Sequence, residues 1–478
     1  MARSEPSLPA PTISMRIGYS SLGWAEGVDS IMSLPVGYDD SYIISRVRAR
    51  MILDSRGNPT VEVEVVTRGG GFGRAAAPAG ASKGKHEALE LRDGGKKFGG
   101  RGVDRALFNV NHVIAPRITG LDARMQRLID SIMVDLDGTP NKSRLGANAI
   151  VATSLAVAKA AADTAGMPLY RYLGGTGTFV MPVPLMNIIN GGAHAGNELS
   201  FQEFMIAPVG ADSFSEALRI GVEVYQMLKK YLKDKYGASA INVGDEGGYA
   251  PPMKSNKEAL DALVEAIKLA GYEPGADVVL GIDVAASQFY DAESGTYSVD
   301  GHRLSAEELL DYYLVMVDEY PIRSIEDPFY EEDYESFAKL TSKLLGRVLI
   351  VGDDLYVTNI GRLVRGIELK ATTAALLKVN QVGTLTEALD YAYTAMASNL
   401  KVIVSHRSGE TEDTTIAHLA VALRAGFIKT GAPARGERTA KYNELLRIEE
   451  DCSGECIYPG IRAYQSLHPV TAAYQLPA

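Results

Sequence analysis

Val279-Leu280-Gly281-Ile282-Asp283 is a short apolar run that stops on a carboxylate. A run of this length, bounded by polar residues, reads as a strand buried on both faces. The same cadence recurs through the second half of the chain. It is found at Phe201-Gln202-Glu203, Val243-Gly244-Asp245-Glu246, Ile325-Glu326-Asp327 and Leu349-Ile350-Val351-Gly352-Asp353. It continues at Leu376-Leu377-Lys378, Val402-Ile403-Val404-Ser405-His406 and Phe427-Ile428-Lys429. Helical patterns separate most of these runs, at Lys257 to Ala270, Ala306 to Val317 and Thr384 to Ala397. Strands alternating with helices predict parallel β-structure with helical crossovers, and eight runs suit a closed α/β barrel. An open doubly wound sheet is the rival, but no G-x-G-x-x-G follows the first strand to support a dinucleotide fold.

The first half has a different character. Thr60-Val61-Glu62-Val63-Glu64-Val65 alternates strictly, the period of a half-buried strand. Gly69-Gly70-Gly71 and a short run ending at Ala77 complete a predicted hairpin. A helical pattern from Leu145 to Ala165 stops at Gly166, with Pro168 just beyond. The expected organisation is an N-terminal extension over 1–42, flexible and without sustained periodicity, then a small α+β domain over 43–178. The barrel takes 179–450 and a C-terminal tail 451–478.

Length and composition narrow the function. With 478 residues, 46% of them apolar, the chain can bury a large core, which excludes a disordered or disulfide-stapled chain. Acids outnumber bases, 59 to 48, which argues against a general nucleic-acid binder but not against small anionic substrates in a locally positive site. The two cysteines, Cys452 and Cys456, cannot staple a chain of this size and read as free thiols of a reducing cytoplasm. No apolar stretch reaches membrane-spanning length, and the first forty residues lack the pattern of a secretory signal.

The chemistry gathers at the ends of the predicted strands, where barrel enzymes place their active sites. Those ends carry Glu203, Glu246, Asp283, Glu326, Asp353, Lys378, His406 and Lys429. One acid alone reads as a helix cap or a surface ion pair. Three at equivalent positions, Asp283, Glu326 and Asp353, favour a hard divalent cation. Lys378 and Lys429 have two readings: a base whose pKa falls among positive charges, or a lysine paired with one of the acids. Arg407 and Ser408 suit phosphate. Glycines around Ser82 permit close approach to an anion or metal, and His194 lies between glycines that permit a moving lid. Together these groups suit proton abstraction next to a carboxylate with metal stabilisation, a pattern described for the enolase superfamily.

Longer segments carry a resemblance to the enolase family, the phosphopyruvate hydratases, from about residue 43 to 450. They include Asp54-Ser55-Arg56-Gly57-Asn58-Pro59-Thr60, Gly244-Asp245-Glu246-Gly247-Gly248, Ser324-Ile325-Glu326-Asp327-Pro328-Phe329, Leu377-Lys378-Val379-Asn380-Gln381 and Ser405-His406-Arg407-Ser408-Gly409-Glu410. The resemblance implies an α+β domain before an enolase-type barrel of eight strands, and reversible dehydration of 2-phosphoglycerate to phosphoenolpyruvate. It implies Lys378 as the base at C2, Glu246 as the acid at the C3 hydroxyl with Glu203 supporting it, and His194 closing over the site. Asp283, Glu326 and Asp353 would hold one Mg²⁺ and Ser82 a second, giving two per active site. Lys429 would meet the substrate carboxylate, Arg407 and Ser408 the phosphate, and Gln202 and His406 would line the site, with Glu203, Glu326, Asp353 and Lys378 also facing substrate. A homodimer or higher assembly, a cytoplasmic location and a secondary cell-surface or secreted pool follow from the same resemblance, with no nucleic acid or membrane required.

The chain departs from the family pattern at Lys83, where a Thr is common, at Gln288, where a Glu is frequent, and at Gly436, where a Ser is common. The competing readings are a non-catalytic binding or structural protein on the same fold and a different superfamily lyase or racemase. The presence of every implied catalytic residue disfavours the first, and the long motifs disfavour the second.

Overall fold

The structure is a computed structural model that describes residues 39–80, 86–192 and 195–465. After a 3-10 turn at Asp40–Tyr42 come three antiparallel strands, β1 (Ile44–Leu53), β2 (Pro59–Thr67) and β3 (Phe72–Ala76). The predicted hairpin is β2–β3, with Glu62 opposite Ala76, and β1 adds a strand on its other side. The alternation in β2 has a clear use. Val61, Val63 and Val65 are fully buried, while Glu62 and Glu64 face the arginines of the flanking strands. Arg50 reaches Glu62 at 2.6 Å and Glu64 at 2.5 Å, and Arg74 reaches Glu64 at 2.7 Å.

The buried face packs on α1 (Ala147–Thr164), the helix read from the sequence as Leu145 to Ala165. Its alanines and the glycine of β3 allow very close contact. A Cβ on Gly73 would lie 2.0 Å from the Ala156 carbonyl oxygen, so only glycine permits this approach.

The second part is a closed barrel of eight strands. They are β4 (Val183–Asn190), β5 (Glu203–Pro208), β6 (Val278–Asp283), β7 (Ile322–Glu326), β8 (Leu349–Gly352), β9 (Ala374–Leu377), β10 (Lys401–Ser405) and β11 (Gly426–Lys429). Two sequence expectations are corrected here. Val243–Glu246 is not a barrel strand; Val243 makes only a single bridge to Tyr249, inside a loop. The missing strand is β4. All eight of its residues are buried and it contains Pro184, so it shows neither alternation nor a charged end.

The barrel is also not wholly parallel. No α-helix separates β4 from β5 among the described residues, and β5 runs antiparallel to both neighbours. Two helices, α2 (Phe214–Tyr236) and α3 (Asn256–Leu269), then lead to β6, and the loop between them carries Glu246. Because β5 is reversed, its first residue, Glu203, pairs with Asp283, the last residue of β6. Opposite ends of two strands therefore deliver their acids to one rim.

Several of the outer helices start on side-chain caps. Ser213, Ser255, Ser305 and Thr384 each accept the backbone N–H of the glutamate three residues on, and Ser305 with Glu308 forms a full capping box. Each such cap stabilises its helix by about 1 kcal/mol.

Beyond the last barrel helix the chain stays packed. Cys456–Ile457 pairs in parallel with Phe179–Val180, and the buried Tyr458 donates to the Pro208 carbonyl at 2.5 Å. Cys452 and Cys456 are free thiols. Among the described residues, no helix is long and apolar enough to cross a membrane.

The arginine pair around Glu64 makes a pH prediction. Hydrogen bonding to Arg50 holds the Glu64 carboxyl at about 2, below its ordinary 4.5. A depressed carboxylate stabilises the fold above its unfolded pKa, and that contribution is lost as pH falls through the folded value. Glu64→Gln should therefore lower Tm at pH 7, and the gap to the wild type should close between pH 4.5 and 2 in thermal melts.

Candidate active site

The rim at the C-terminal ends of the parallel strands opens into a cleft lined by Glu203, Glu246, Asp283, Asp353, Lys378 and Lys429, with Gln202, His406, Arg407 and Ser408 completing its walls. At its centre is the Lys429 ammonium. It lies 2.8 Å from Asp283, 2.8 Å from Glu326 and 3.2 Å from Glu203. Burial pulls the pKa of Lys429 down, but the three acids, led by Asp283, outweigh it and hold the lysine well above its ordinary range. Burial raises Glu326 as well, and the charge of Asp283 adds to it, so its pKa stands at about 8.

On the neighbouring strands Lys378 forms an ion pair with Asp353, whose other oxygen accepts from Gln381 at 3.1 Å. Of the two sequence readings for this lysine, the geometry gives the paired one. Burial lowers its pKa, Asp353 more than compensates, and the net direction is upward, not downward as cationic surroundings alone would give.

Across the cleft, Asn187 donates to Glu246 at 3.0 Å, and His406 Nε2 lies 3.7 Å from the same carboxylate. Burial, followed by the charge of Glu246, pushes Glu203 well above the carboxylate range. Burial also keeps His406 neutral, well below the ordinary histidine range. Gln202 donates to Asp283 at 3.2 Å and accepts from Gln288 at 2.6 Å. The amide at 288 therefore steadies the residue beside the acid trio.

Five side chains that the sequence reading did not single out complete the site. Glu87 takes the Arg407 guanidinium on both oxygens, at 3.1 and 3.2 Å, and Asn380 accepts from Arg407 at 3.1 Å. Asp327 accepts the backbone N–H groups of Asp353 and Asp354 at 3.0 and 2.7 Å. Oxygens of Asp327, Asp353 and Asp354 all lie within 4.8 Å of one another. Burial and then Asp353 raise Asp354 to about 7. Arg438, wholly buried, reaches His406 Nδ1 and the Arg407 carbonyl, each at 2.6 Å, and the Ser408 carbonyl at 2.6 Å. Glu87 and Asp354 sit beside recognised motifs. Arg438 carries no local signal, because only the fold brings it under the Ser405–Ser408 loop.

The loop holding Ser82 springs from a fixed point, since Ala79 and Gly409 exchange backbone hydrogen bonds of 2.8 Å. Ser82, Lys83 and His194 lie outside the described residues.

The donor set suits a hard divalent cation. All its oxygens are carboxylate, and Glu203 Oε2 and Glu326 Oε2 are buried with no hydrogen-bond partner among the described residues. Such lone pairs are costly to bury unless a cation or proton meets them.

Fold and rim together define a two-part barrel protein whose rim carries clustered carboxylates and cationic anchors. Comparison with known proteins agrees. The family models for "Enolase, N-terminal domain" and "Enolase, C-terminal TIM barrel domain" match residues 44–173 and 178–467. The enolase of Methanocaldococcus jannaschii is 64% identical over 413 residues, covering 86% of this chain and 96% of the relative. Those of Thermococcus gammatolerans and Pyrococcus furiosus are 61% and 60% identical over 424 residues, covering 89% of this chain and 98% of each relative. The chain belongs to the enolase family.

Arg438 supplies a stability prediction. Arg438→Met removes the guanidinium that donates to the carbonyls of Asp245, Arg407 and Ser408 and that meets a buried imidazole nitrogen. Loss of one partner from such a buried network costs about 3–5 kcal/mol, so the Tm and the urea midpoint should both fall. Turnover should fall with them, because His406, Arg407 and Ser408 lose their common support.

Proposed function

We propose that the cleft dehydrates 2-phosphoglycerate reversibly to phosphoenolpyruvate, the step shared by glycolysis and gluconeogenesis. Membership of the family makes the chain a lyase, a phosphopyruvate hydratase, and implies dependence on Mg²⁺. The observation that supports the residue assignment is that a largely covered lysine, Lys378, and a glutamate pair, Glu203 and Glu246, share one cleft.

In this reading Lys378 takes the proton at C2. It can do so only as the neutral amine. Asp353 would be a ligand of the cation, and burial of Lys378 is what favours its neutral form. Glu246 protonates the departing C3 hydroxyl, with Glu203 beside it as a proton-bearing neighbour. Lys378 and the glutamates approach opposite faces of the substrate.

Lys429 meets the substrate carboxylate, and Arg407 with Ser408 the phosphate, for which Glu87 must release the guanidinium. Gln202 and His406 line the site. Asp283, Glu326 and Asp353 are assigned as ligands of one Mg²⁺, and Ser82 of a second, with His194 on the covering loop. When bound, the cation supplies Lewis-acid stabilisation of charge that builds on the substrate carboxylate. In the same reading residues 43–178 cap the barrel of 179–450, the enzyme is a cytoplasmic homodimer or higher assembly, and 2-phosphoglycerate and phosphoenolpyruvate are its small-molecule partners.

The test is ultraviolet absorbance growth from 2-phosphoglycerate. Purified protein should give signal with Mg²⁺, lose it with a chelator and regain it on Mg²⁺ addition. Lys378→Ala should lower kcat by at least about 10²–10⁴-fold, the usual span for loss of a general base, while the Tm stays near that of the wild type. Activity within tenfold of the wild type would refute the base assignment.

A further inference from the structure

A second and wider cavity, of about 500 Å³, lies at the other end of the barrel. Arg323 near the start of β7, Leu349 at the start of β8, Thr373 just before β9 and Lys401 at the start of β10 line it. Arg347 and Tyr464 complete the polar part of its wall. The strands that open here finish at the catalytic rim, so the length of the barrel separates the two sites.

The charge of this cavity is one-sided. Arg323, Arg347 and Lys401 line it, and no carboxylate does among the described residues. Arg347 is partly balanced by the exposed Asp318 at 2.7 Å. The other two are not. Lys401 is only 6% exposed, and no side-chain hydrogen bond or ion pair reaches it among the described residues. Burial, with no opposing charge, pulls its pKa down to about 8. Arg323 donates one bond to the Arg347 carbonyl at 3.1 Å, yet its Nε is buried without a partner among the described residues, and the Tyr464 hydroxyl has only the Ser324 side chain near it. A buried N–H donor without an acceptor is destabilising, and the Lys401 ammonium faces the cavity with no counter-charge beside it among the described residues. Their gathering in one roomy cavity points to an acceptor that comes from outside.

We propose that this cavity binds a phosphate-bearing anion, held by Lys401, Arg323 and Tyr464, with Arg347 and the Thr373 hydroxyl at its edge. Phosphate is preferred over a carboxylate because two guanidinium groups and an ammonium can meet a tetrahedral dianion on several sides, whereas a carboxylate occupies one planar fork. The cavity holds no acid and no second base to form a catalytic pair, so the anion is an effector, not a substrate. By bridging the starts of β7, β8 and β10 it would brace the strands whose far ends carry Glu326, Asp353 and His406.

The test is isothermal titration of the full-length protein with inorganic phosphate at constant ionic strength, with acetate and chloride as comparison anions. The wild type should take up one phosphate per chain more than Lys401→Met, which should bind at this site at least tenfold more weakly. Lys401→Arg should retain the extra phosphate. Without phosphate, the Tm of Lys401→Met should equal or exceed that of the wild type at pH 7, because a buried unpaired charge has been removed, and kcat/KM for dehydration should be unchanged. Arg323→Gln, read by the same titration, serves as the second variant should the first not fold. Equal phosphate uptake by wild type and variant, or an equal response to acetate or chloride, would overturn the proposal. So would a Lys401→Met protein that melts lower yet keeps its phosphate, which would make the lysine purely structural.

Discussion

Glu203, Asp283 and Glu326 are buried at one rim and converge on a single ammonium, that of Lys429. Carboxylates this close in a low-dielectric pocket cannot all stay ionised without positive charge among them. The rest of the site is arranged around that constraint. Lys378 answers Asp353, Arg407 answers Glu87, and Arg438 supports the neutral His406 that faces Glu246. The raised pKa of Glu326 and the two orphaned carboxylate oxygens mark charge that the lysines leave unbalanced. A divalent cation suits that remainder, which is why the metal belongs to the electrostatics of the rim as much as to the reaction.

The reversed strand makes such crowding achievable. In a wholly parallel barrel each strand offers only its C-terminal end to the catalytic face. Here β5 offers its first residue, so Glu203 sits directly opposite Asp283 across a ladder. The helix pair that follows β5 hangs the Glu246 loop over the same opening. Three carboxylates thus come from a segment in which parallel topology would have supplied fewer.

Much of this was legible in the sequence because buried strands leave a simple mark. Seven of the eight apolar runs read from the sequence lie on or against barrel strands, and the polar or charged residue that closes each one lies at the rim. What failed was what the mark does not encode. The β4 strand is apolar to its ends, so nothing punctuates it. The Val243–Glu246 run resembles a strand in composition, but its apolar part is a lone valine in a loop. Strand direction went with the absence of an α-helix between β4 and β5 among the described residues, which was invisible while β4 itself was unread. Arg438 and Glu87 act across large sequence separations, on the Ser405–Ser408 loop and on Arg407, and such contacts have no local pattern. The candidate acids and lysines at strand ends were readable because strand ends are local; their partners were not, because partnership is a property of the closed fold.

The state of Lys378 shows how far geometry constrains mechanism. A base must lose its proton before it can accept another, and this lysine sits against Asp353 with its pKa raised. Burial acts in the opposite direction, as do Arg407 and Lys429, so the upward balance rests on the carboxylates, Asp353 first and then Glu326. While the ion pair with Asp353 persists, the lysine cannot serve as base. Asp353 is also among the residues assigned to the metal. In the proposed reading metal binding and base activation would meet at a single side chain, Asp353, which is paired with Lys378 here.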